Sequence, residues 1–210
     1  MAAHSRPKIV LATENPHKVE EIIALLEASR LEVQVSSLLD FPHLKLAEET
    51  GATFEENASM KAEAIAAQTG LIAMADDSGL EVAALGGEPG VRSKRFAGDY
   101  ADDKERYQKL LALMSDIPEG KRQARFRCCI AIAVPGKETV VVAGICQGKI
   151  AFAPSGSYGF GYDPVFIPEG MDCTMAELPM EEKNKISHRS RALQAAVPVL
   201  RRIFLASASG

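Results

Sequence analysis

The apolar positions of this chain follow two periods, and their alternation is the first clue to its architecture. Lys8 to Ala12 is a short apolar run that reads as a strand. Asn15-Pro16 then has the form of a helix start, with Asn15 as N-cap and Pro16 at the first helical position. Val19, Ile22, Ile23, Leu25 and Leu26 place an apolar stripe on a helix reaching about Ser29. Leu31, Val33 and Val35 alternate with polar residues, as in a half-buried strand. Strand, helix and strand in that order predict a βαβ unit and an α/β fold.

The pattern continues with clear punctuation. Phe41 to Gly51 is loop-like and contains Glu48-Glu49. Thr53 and Glu56 form a capping box, and the helix behind it carries Phe54, Ala58, Lys61, Ala62 and Ile65 on one face until Gly70 ends it. Leu71 to Ala75 predicts a buried strand, Asp76-Asp77-Ser78-Gly79 an acidic turn, and Leu80 to Leu85 a further short strand. Gly86 to Gly90 breaks the chain. A helix is expected from about Asp102 to Met114. Arg125–Val134 and Thr139–Cys146 flank Pro135-Gly136 as a hairpin, and Ile150–Ala153 extends the sheet. Pro154 to Gly161 reads as an exposed loop, and Ser187 as the cap of a final helix that Pro198 should kink or interrupt. Leu205-Ala206-Ser207 reads as a frayed end. There is no internal repeat, linker or low-complexity segment.

Composition narrows the class. The 210 residues, 47% hydrophobic and 25% charged, fit one domain with a proper core. A net charge of −4 speaks against a nucleic-acid polymer as main partner, but not against a small anion held by local lysines. Cys128, Cys129, Cys146 and Cys173 form no C-x-x-C pair, so they read as reduced, buried thiols of a cytoplasmic protein. Met1 to Lys8 lacks the apolar core of a signal peptide. No run approaches the ~18 apolar residues of a membrane span.

Four stations carry candidate chemistry. Thr13-Glu14-Asn15-Pro16-His17-Lys18 lies between strand and helix, where backbone N–H groups attract phosphate and Lys18 adds charge. It is not a P-loop. Asp76-Asp77 follows an apolar strand, and acids placed there call for a cation. If Glu48 and Asp77 converge, they supply oxygen ligands for Mg²⁺, and a carboxylate beside the metal can take a proton from water. Gly159-Phe160-Gly161-Tyr162-Asp163-Pro164 offers close backbone approach, a ring for base stacking and a carboxylate for a purine N–H. Lys183 and Ser187-His188-Arg189 cluster cations at a helix start, where they reinforce the dipole and favour anions or carbonyl oxygens. Each station alone has a plain counterpart: a capped βα loop, solvated glutamates, a glycine-rich turn with a core Phe, a charged helix start.

Together and in this order, the stations resemble the inosine triphosphate/xanthosine triphosphate pyrophosphatase family, the house-cleaning hydrolases of deaminated purine nucleotides. The matching segments are Leu11-Ala12-Thr13…Asn15…Lys18-Val19, Glu48-Glu49-Thr50-Gly51…Thr53-Phe54…Asn57-Ala58…Lys61-Ala62, Ala75–Leu80, Leu85-Gly86-Gly87…Pro89-Gly90, Gly159–Pro164 and Ser187-His188-Arg189. They run from about Lys8 to Phe204. The resemblance implies a mixed, twisted central sheet flanked by helices, two lobes with the nucleotide cleft between them, a homodimer, and Mg²⁺-dependent hydrolysis of ITP, dITP or XTP to the monophosphate and pyrophosphate. It implies that Thr13 to Lys18 hold the triphosphate with help from Lys61. Asp77 becomes the catalytic acceptor and a metal ligand, with Glu48 the second ligand and Asp76 or Glu49 in support. Ser78 touches substrate, Phe160 to Asp163 hold base and sugar, Lys183 reaches phosphate or base, and His188-Arg189 read the purine. Glu14 departs from the family pattern, in which that position is small or neutral. Two competing readings are a Maf-type pyrophosphatase, whose Ser-rich opening loop is missing here, and a nucleotide sensor, which would not need the acids.

Overall fold

The computed structural model describes residues 6–41 and 43–208. Met1–Ser5, most of the segment read for a leader, lie outside the described residues. Six strands form one sheet in the order β2-β1-β3-β4-β5-β6: β1 Lys8–Leu11, β2 Gln34–Ser37, β3 Ile72–Val82, β4 Gln123–Ala133, β5 Val140–Ile150 and β6 Phe166–Pro168. Five α-helices accompany them: α1 Pro16–Ala28, α2 Phe54–Thr69, α3 Asp103–Leu113, α4 Met180–Ile186 and α5 His188–Ala208. The sheet is mixed. β1 runs parallel to β2 and to β3, with Ile9 opposite Val35 and Ile72, whereas β5 and β6 are antiparallel. This is the α/β fold expected. No described helix is long and apolar enough to cross a membrane.

By packing, the chain falls into two compact units: residues 1–77, 129–144 and 190–210, and residues 78–128 and 145–189. In the first, Ile9, Val10 and Leu11 of β1 are fully buried, as are Ala58, Ala62 and Ile65 of α2 and Ala192, Ala196 and Leu200 of α5. Asn15 accepts from the amides of His17 and Lys18 to start α1, and the Thr53–Glu56 capping box starts α2, as the sequence predicts. Gly70 ends α2 at φ +67°, a left-handed conformation that glycine adopts without strain. In the second unit, Leu80, Val82, Leu110, Met114, Phe126, Ile150 and Phe166 form a continuous apolar core.

Several elements differ from expectation. β3 is a single strand of 11 residues that passes straight through Asp76-Asp77-Ser78-Gly79; there is no acidic turn and no second short strand. Both carboxylates find cations, so the strand has no need to bend them into water. β2 begins only at Gln34, whose amide bonds to the Pro7 carbonyl, so Leu31 and Val33 precede it. The strand after β5 is Phe166–Pro168 rather than an extension over Ile150–Ala153. Ser187 closes α4 and also stands immediately before α5, the place expected for the cap of the final helix. α5 continues through Pro198 to Ala208, so the proline does not divide it and Leu205–Ser207 belong to the helix.

Arg122 is a large polar group enclosed in the second unit, at 2% exposure. Its guanidinium donates to the carbonyls of Ile150 (2.8 Å), Met114 (2.7 Å), Ile117 (2.9 Å) and Ala151 (2.9 Å). It thereby ties the C-terminal end of α3 to the end of β5. Lysine has the charge but not the planar fork. Arg122→Lys should lower stability by about 3 kcal/mol, because several buried carbonyls lose their donor, and thus lower Tm by roughly 6–12 °C. Thermal unfolding checks this; an unchanged Tm would remove Arg122 as the tie.

Candidate active site

The first unit gathers an acid–lysine cluster. Asp76 and Asp77 are consecutive on β3, so their side chains leave opposite faces of the strand. Each meets a different lysine. Lys18, from the first turn of α1, lies 3.1 Å from Asp76 Oδ1. Lys61, projecting from the buried face of α2, lies 2.9 Å from Asp77 Oδ1 and 2.9 Å from Glu49 Oε1, and it also donates to the Asp76 carbonyl at 2.9 Å. Asp77 Oδ2 accepts from the Asn57 amide at 3.4 Å. Asn57 also accepts the Gly51 amide at 2.8 Å, which fastens the acidic loop to α2. At Gly51 a Cβ would stand 2.8 Å from that Asn57 oxygen, so the close fit requires glycine.

The cluster is short of positive charge: Glu49, Asp76 and Asp77 face Lys18 and Lys61. Proton affinities register this. Burial pushes the Asp77 carboxyl up and Glu49 adds to the rise, outweighing the pull of Lys61 and Lys18. Burial alone would pull the Lys61 ammonium down, but Asp77, Glu49 and Asp76 hold it above its ordinary value. The causes differ: burial leads the rise of Asp77, whereas for Lys61 burial acts downward and the surrounding carboxylates together outweigh it. A cluster with more carboxylates than lysines also attracts metal cations. The donors are hard carboxylate oxygens, which suit a divalent ion that takes its remaining ligands from phosphate. No ready-made group of three or more ligating side chains occurs among the described residues.

Two expectations are modified here. Glu49, rather than Glu48, reaches the Lys61–Asp77 pair, and Glu48 is exposed. The N-terminus of α1 does not keep its donors for phosphate. Asn15 Oδ1 takes the amides of His17 and Lys18, the Asn15 carbonyl takes that of Val19, and Thr13 Oγ1 takes that of Asn15; Pro16 has none. What this turn offers an anion is the side chain of Lys18. Glu14 is exposed.

The second unit gathers an aromatic and cationic cluster. Lys183 of α4 pairs with Asp163 at 2.7 Å, and both are buried. Asp163 Oδ2 also accepts the Phe160 amide at 3.0 Å. A Cβ at Gly159 would lie 2.1 Å from that oxygen, and φ there is +73°, so the turn needs glycine on both counts. The ring of Phe160 has Lys183 Nζ at 5.0 Å and Arg189 Cζ at 5.6 Å from its centroid. Arg189, 1% exposed, reaches Ser78 Oγ at 3.5 Å. His188 stacks on Phe126 with centroids 4.7 Å apart and planes 13° from parallel. Tyr162, expected to face a ligand, is buried and donates its hydroxyl to the Ser93 carbonyl at 2.9 Å, and burial pushes its phenol well above the ordinary range. It supports the turn from beneath. Of the loop expected to be exposed from Pro154 to Gly161, Pro154 to Gly159 is exposed, whereas Phe160 and Gly161 are half-buried.

The structure thus joins Lys18, Lys61, Asp76, Asp77 and Glu49, and separately Ser78, Phe160, Asp163, Lys183 and Arg189. Sequence reading missed Asn57 as the Asp77 partner and Phe126 as the bed of His188. A buried amide on the apolar face of α2, at helical spacing from Lys61, was the available signal for the first. Nothing local marks Phe126 among the apolar residues of β4.

Comparison with known proteins gives a consistent result. The model of the Ham1 family matches residues 9–199. A protein of Bacillus subtilis named dITP/XTP pyrophosphatase is 50% identical over 185 residues, covering 88% of this chain and 92% of its own. One of Geobacillus kaustophilus with the same name is 51% identical over 186 residues, 89% and 90% of the two chains. The solved structure of a HAM1 protein from Coxiella burnetii superposes with a TM-score of 0.84 at 43% identity, over 93% of this chain and 99% of that one.

Removing Lys61 tests the charge balance of the first cluster. Lys61→Met leaves Asp77 buried beside Glu49 with its main cation gone, a change that typically costs ~3–5 kcal/mol. Denaturant unfolding should show that loss, and a double variant Lys61→Met/Asp77→Asn should recover part of it. Equal stability of the single and double variants would contradict the coupling.

Proposed function

Because this chain belongs to the Ham1 family, we propose that it hydrolyses the triphosphates of deaminated purines, ITP, dITP and XTP, to the monophosphate and pyrophosphate with Mg²⁺. One observation carries the reading. Three consecutive residues of β3 hold three different partners: Asp76 holds Lys18, Asp77 holds Lys61, and Ser78 meets Arg189. A nucleotide hydrolase requires acid–base and charge-neutralising groups, which Asp76 and Asp77 hold, and donors that read a base, of which Arg189 at Ser78 is one.

In the reaction, a water oxygen bonds to the α-phosphorus and the bond from that phosphorus to the α–β bridging oxygen breaks. Pyrophosphate leaves with the bridging oxygen and its electron pair. Asp77 orients the water and accepts its proton, a task helped by a carboxylate whose proton affinity is raised. Lys61 and Asn57 fix Asp77, and Lys18 offsets charge on the leaving pyrophosphate. Asp77 and Glu48 would hold the Mg²⁺ through their carboxylate oxygens. When bound, the ion supplies Lewis-acid neutralisation of phosphate oxygens. Thr13 to His17 form the rim of the phosphate seat.

For the base, Phe160 supplies a stacking face, with Tyr162 and Gly161 shaping the turn that presents it and Asp163 holding Lys183. Hypoxanthine and xanthine carry an acceptor oxygen at C6, which donors on Arg189, His188 or Lys183 satisfy. Adenine would turn an amine toward those donors, and an unpaired buried polar group costs ~1–3 kcal/mol. We read the 210 residues as one catalytic domain acting as a homodimer in the cytoplasm. The family match over residues 9–199 supports the first, the family's habit the second, and four free cysteines the third.

Addition of ITP or XTP with Mg²⁺ should release pyrophosphate, and ATP should be at least about tenfold poorer in kcat/KM, as one unsatisfied donor implies. Equal efficiency on ITP and ATP would overturn the base reading. Asp77→Asn should lower kcat by roughly 10²–10⁴ while ITP still binds, the range of a lost general base. Turnover near that of the unaltered enzyme would take Asp77 out of the chemistry.

A further inference from the structure

The turn that presents Phe160 is anchored at three successive residues. The Phe160 amide donates to Asp163 within the turn, and the Tyr162 hydroxyl donates to the Ser93 carbonyl. Between them, the Gly161 amide donates to Asp103 Oδ2 at 2.7 Å. Asp103 is not in the turn. It is the first residue of α3, 58 positions earlier in the chain. Its other oxygen is held by Arg106, one turn along the same helix, which also donates to the Ala101 carbonyl. The N-cap of α3 is the neighbouring Asp102, which forms a reciprocal box with Glu105. The helix start is therefore capped without Asp103, whose carboxylate is committed to Gly161.

The chemistry of the turn makes that commitment consequential. Gly159 and Gly161 both have positive φ, +73° and +66°, so this backbone is intrinsically the most permissive of the cluster. Phe160 lies between them, and its ring direction follows from the peptide planes on either side. One plane is fixed by Asp163 and the other by Asp103. Ring contact with Lys183 and Arg189 depends on both.

We propose that Asp103 is a positioning residue for nucleotide recognition, fixing the Phe160 ring through the Gly161 amide and so setting affinity for the base rather than the rate of phosphoryl cleavage. The inference rests on the function proposed above. α3 thereby becomes part of the recognition apparatus although none of its residues need touch the substrate. The other end of α3 is tied by Arg122 to Ile150 and Ala151, so the helix is a rigid support for this contact.

The test compares Asp103→Ala with Asp103→Asn. Asparagine keeps an acceptor oxygen for Gly161 and loses the charge; alanine loses both. Asp103→Ala should raise KM for ITP roughly five- to tenfold, about one partly exposed hydrogen bond, with kcat within twofold. It should weaken inosine monophosphate binding by the same factor and leave inorganic triphosphate binding unchanged. Asp103→Asn should recover most of the loss. Amide hydrogen exchange at Gly161 should be slow in the unaltered protein and in Asp103→Asn, and fast in Asp103→Ala. Equal KM in all three proteins, or equal defects in the Asn and Ala variants, would overturn the proposal. A fall confined to kcat would also do so. If the unaltered protein releases no pyrophosphate from ITP, the functional reading fails, and Gly161 exchange still decides whether Asp103 holds the turn.

Discussion

Two consecutive carboxylates buried in the middle of a strand are the constraint on which this structure turns. A single buried, unpaired carboxylate costs several kcal/mol, enough to consume much of a domain's stability. β3 carries two, on opposite faces, so one counter-ion cannot serve both. The fold answers with lysines from two different helices. Lys18 must come from the first turn of α1, which fixes where α1 begins and so why Asn15 and Pro16 stand where they do. Lys61 must project from the apolar face of α2, which places a charged residue among Ala58, Ala62 and Ile65. The loop with Glu49 is then drawn in and pinned through Gly51 and Asn57.

The balance left by this arrangement is chemically useful. Perfect neutralisation would give a stable but inert knot. Here three carboxylates face two lysines: burial raises the proton affinity of Asp77, and the carboxylates raise that of Lys61 against the pull of burial. The same excess makes the cluster costly to keep together, and its members are locked by packing, by the Asn57 amide donating to Asp77 and by the Asp76 carbonyl accepting from Lys61.

The second cluster is organised on a different principle. Its cations are held against an aromatic ring and a buried carboxylate, and its backbone is a glycine turn rather than a strand. Glycine permits the close approach of Asp163 to Phe160 but does not enforce it. Enforcement comes from outside the turn: the Ser93 carbonyl and the side chains of Asp103 and Lys183. Precision is thus imported from a helix and a short turn that carry none of the reacting groups.

Read by itself, the sequence determined the α/β class, the caps of α1 and α2, the buried face of α2 and the extent of α3 to within a residue or so. Those features are local: a capping box, a helical stripe or a glycine turn is written within a few residues. It misjudged β3, because Asp-Asp-Ser-Gly is ordinary turn chemistry unless lysines distant in sequence neutralise the acids. It also named Glu48 as the glutamate beside Asp77, where Glu49 reaches the Lys61–Asp77 pair, and it assigned phosphate to amides that Asn15 already occupies. Tertiary structure alone decided these points, and it alone brought Asp103 to Gly161 and Phe126 to His188. The physical reason is that the energy of a buried charge or an anchored amide depends on partners tens of residues away, and local pattern carries no information about which of them arrive.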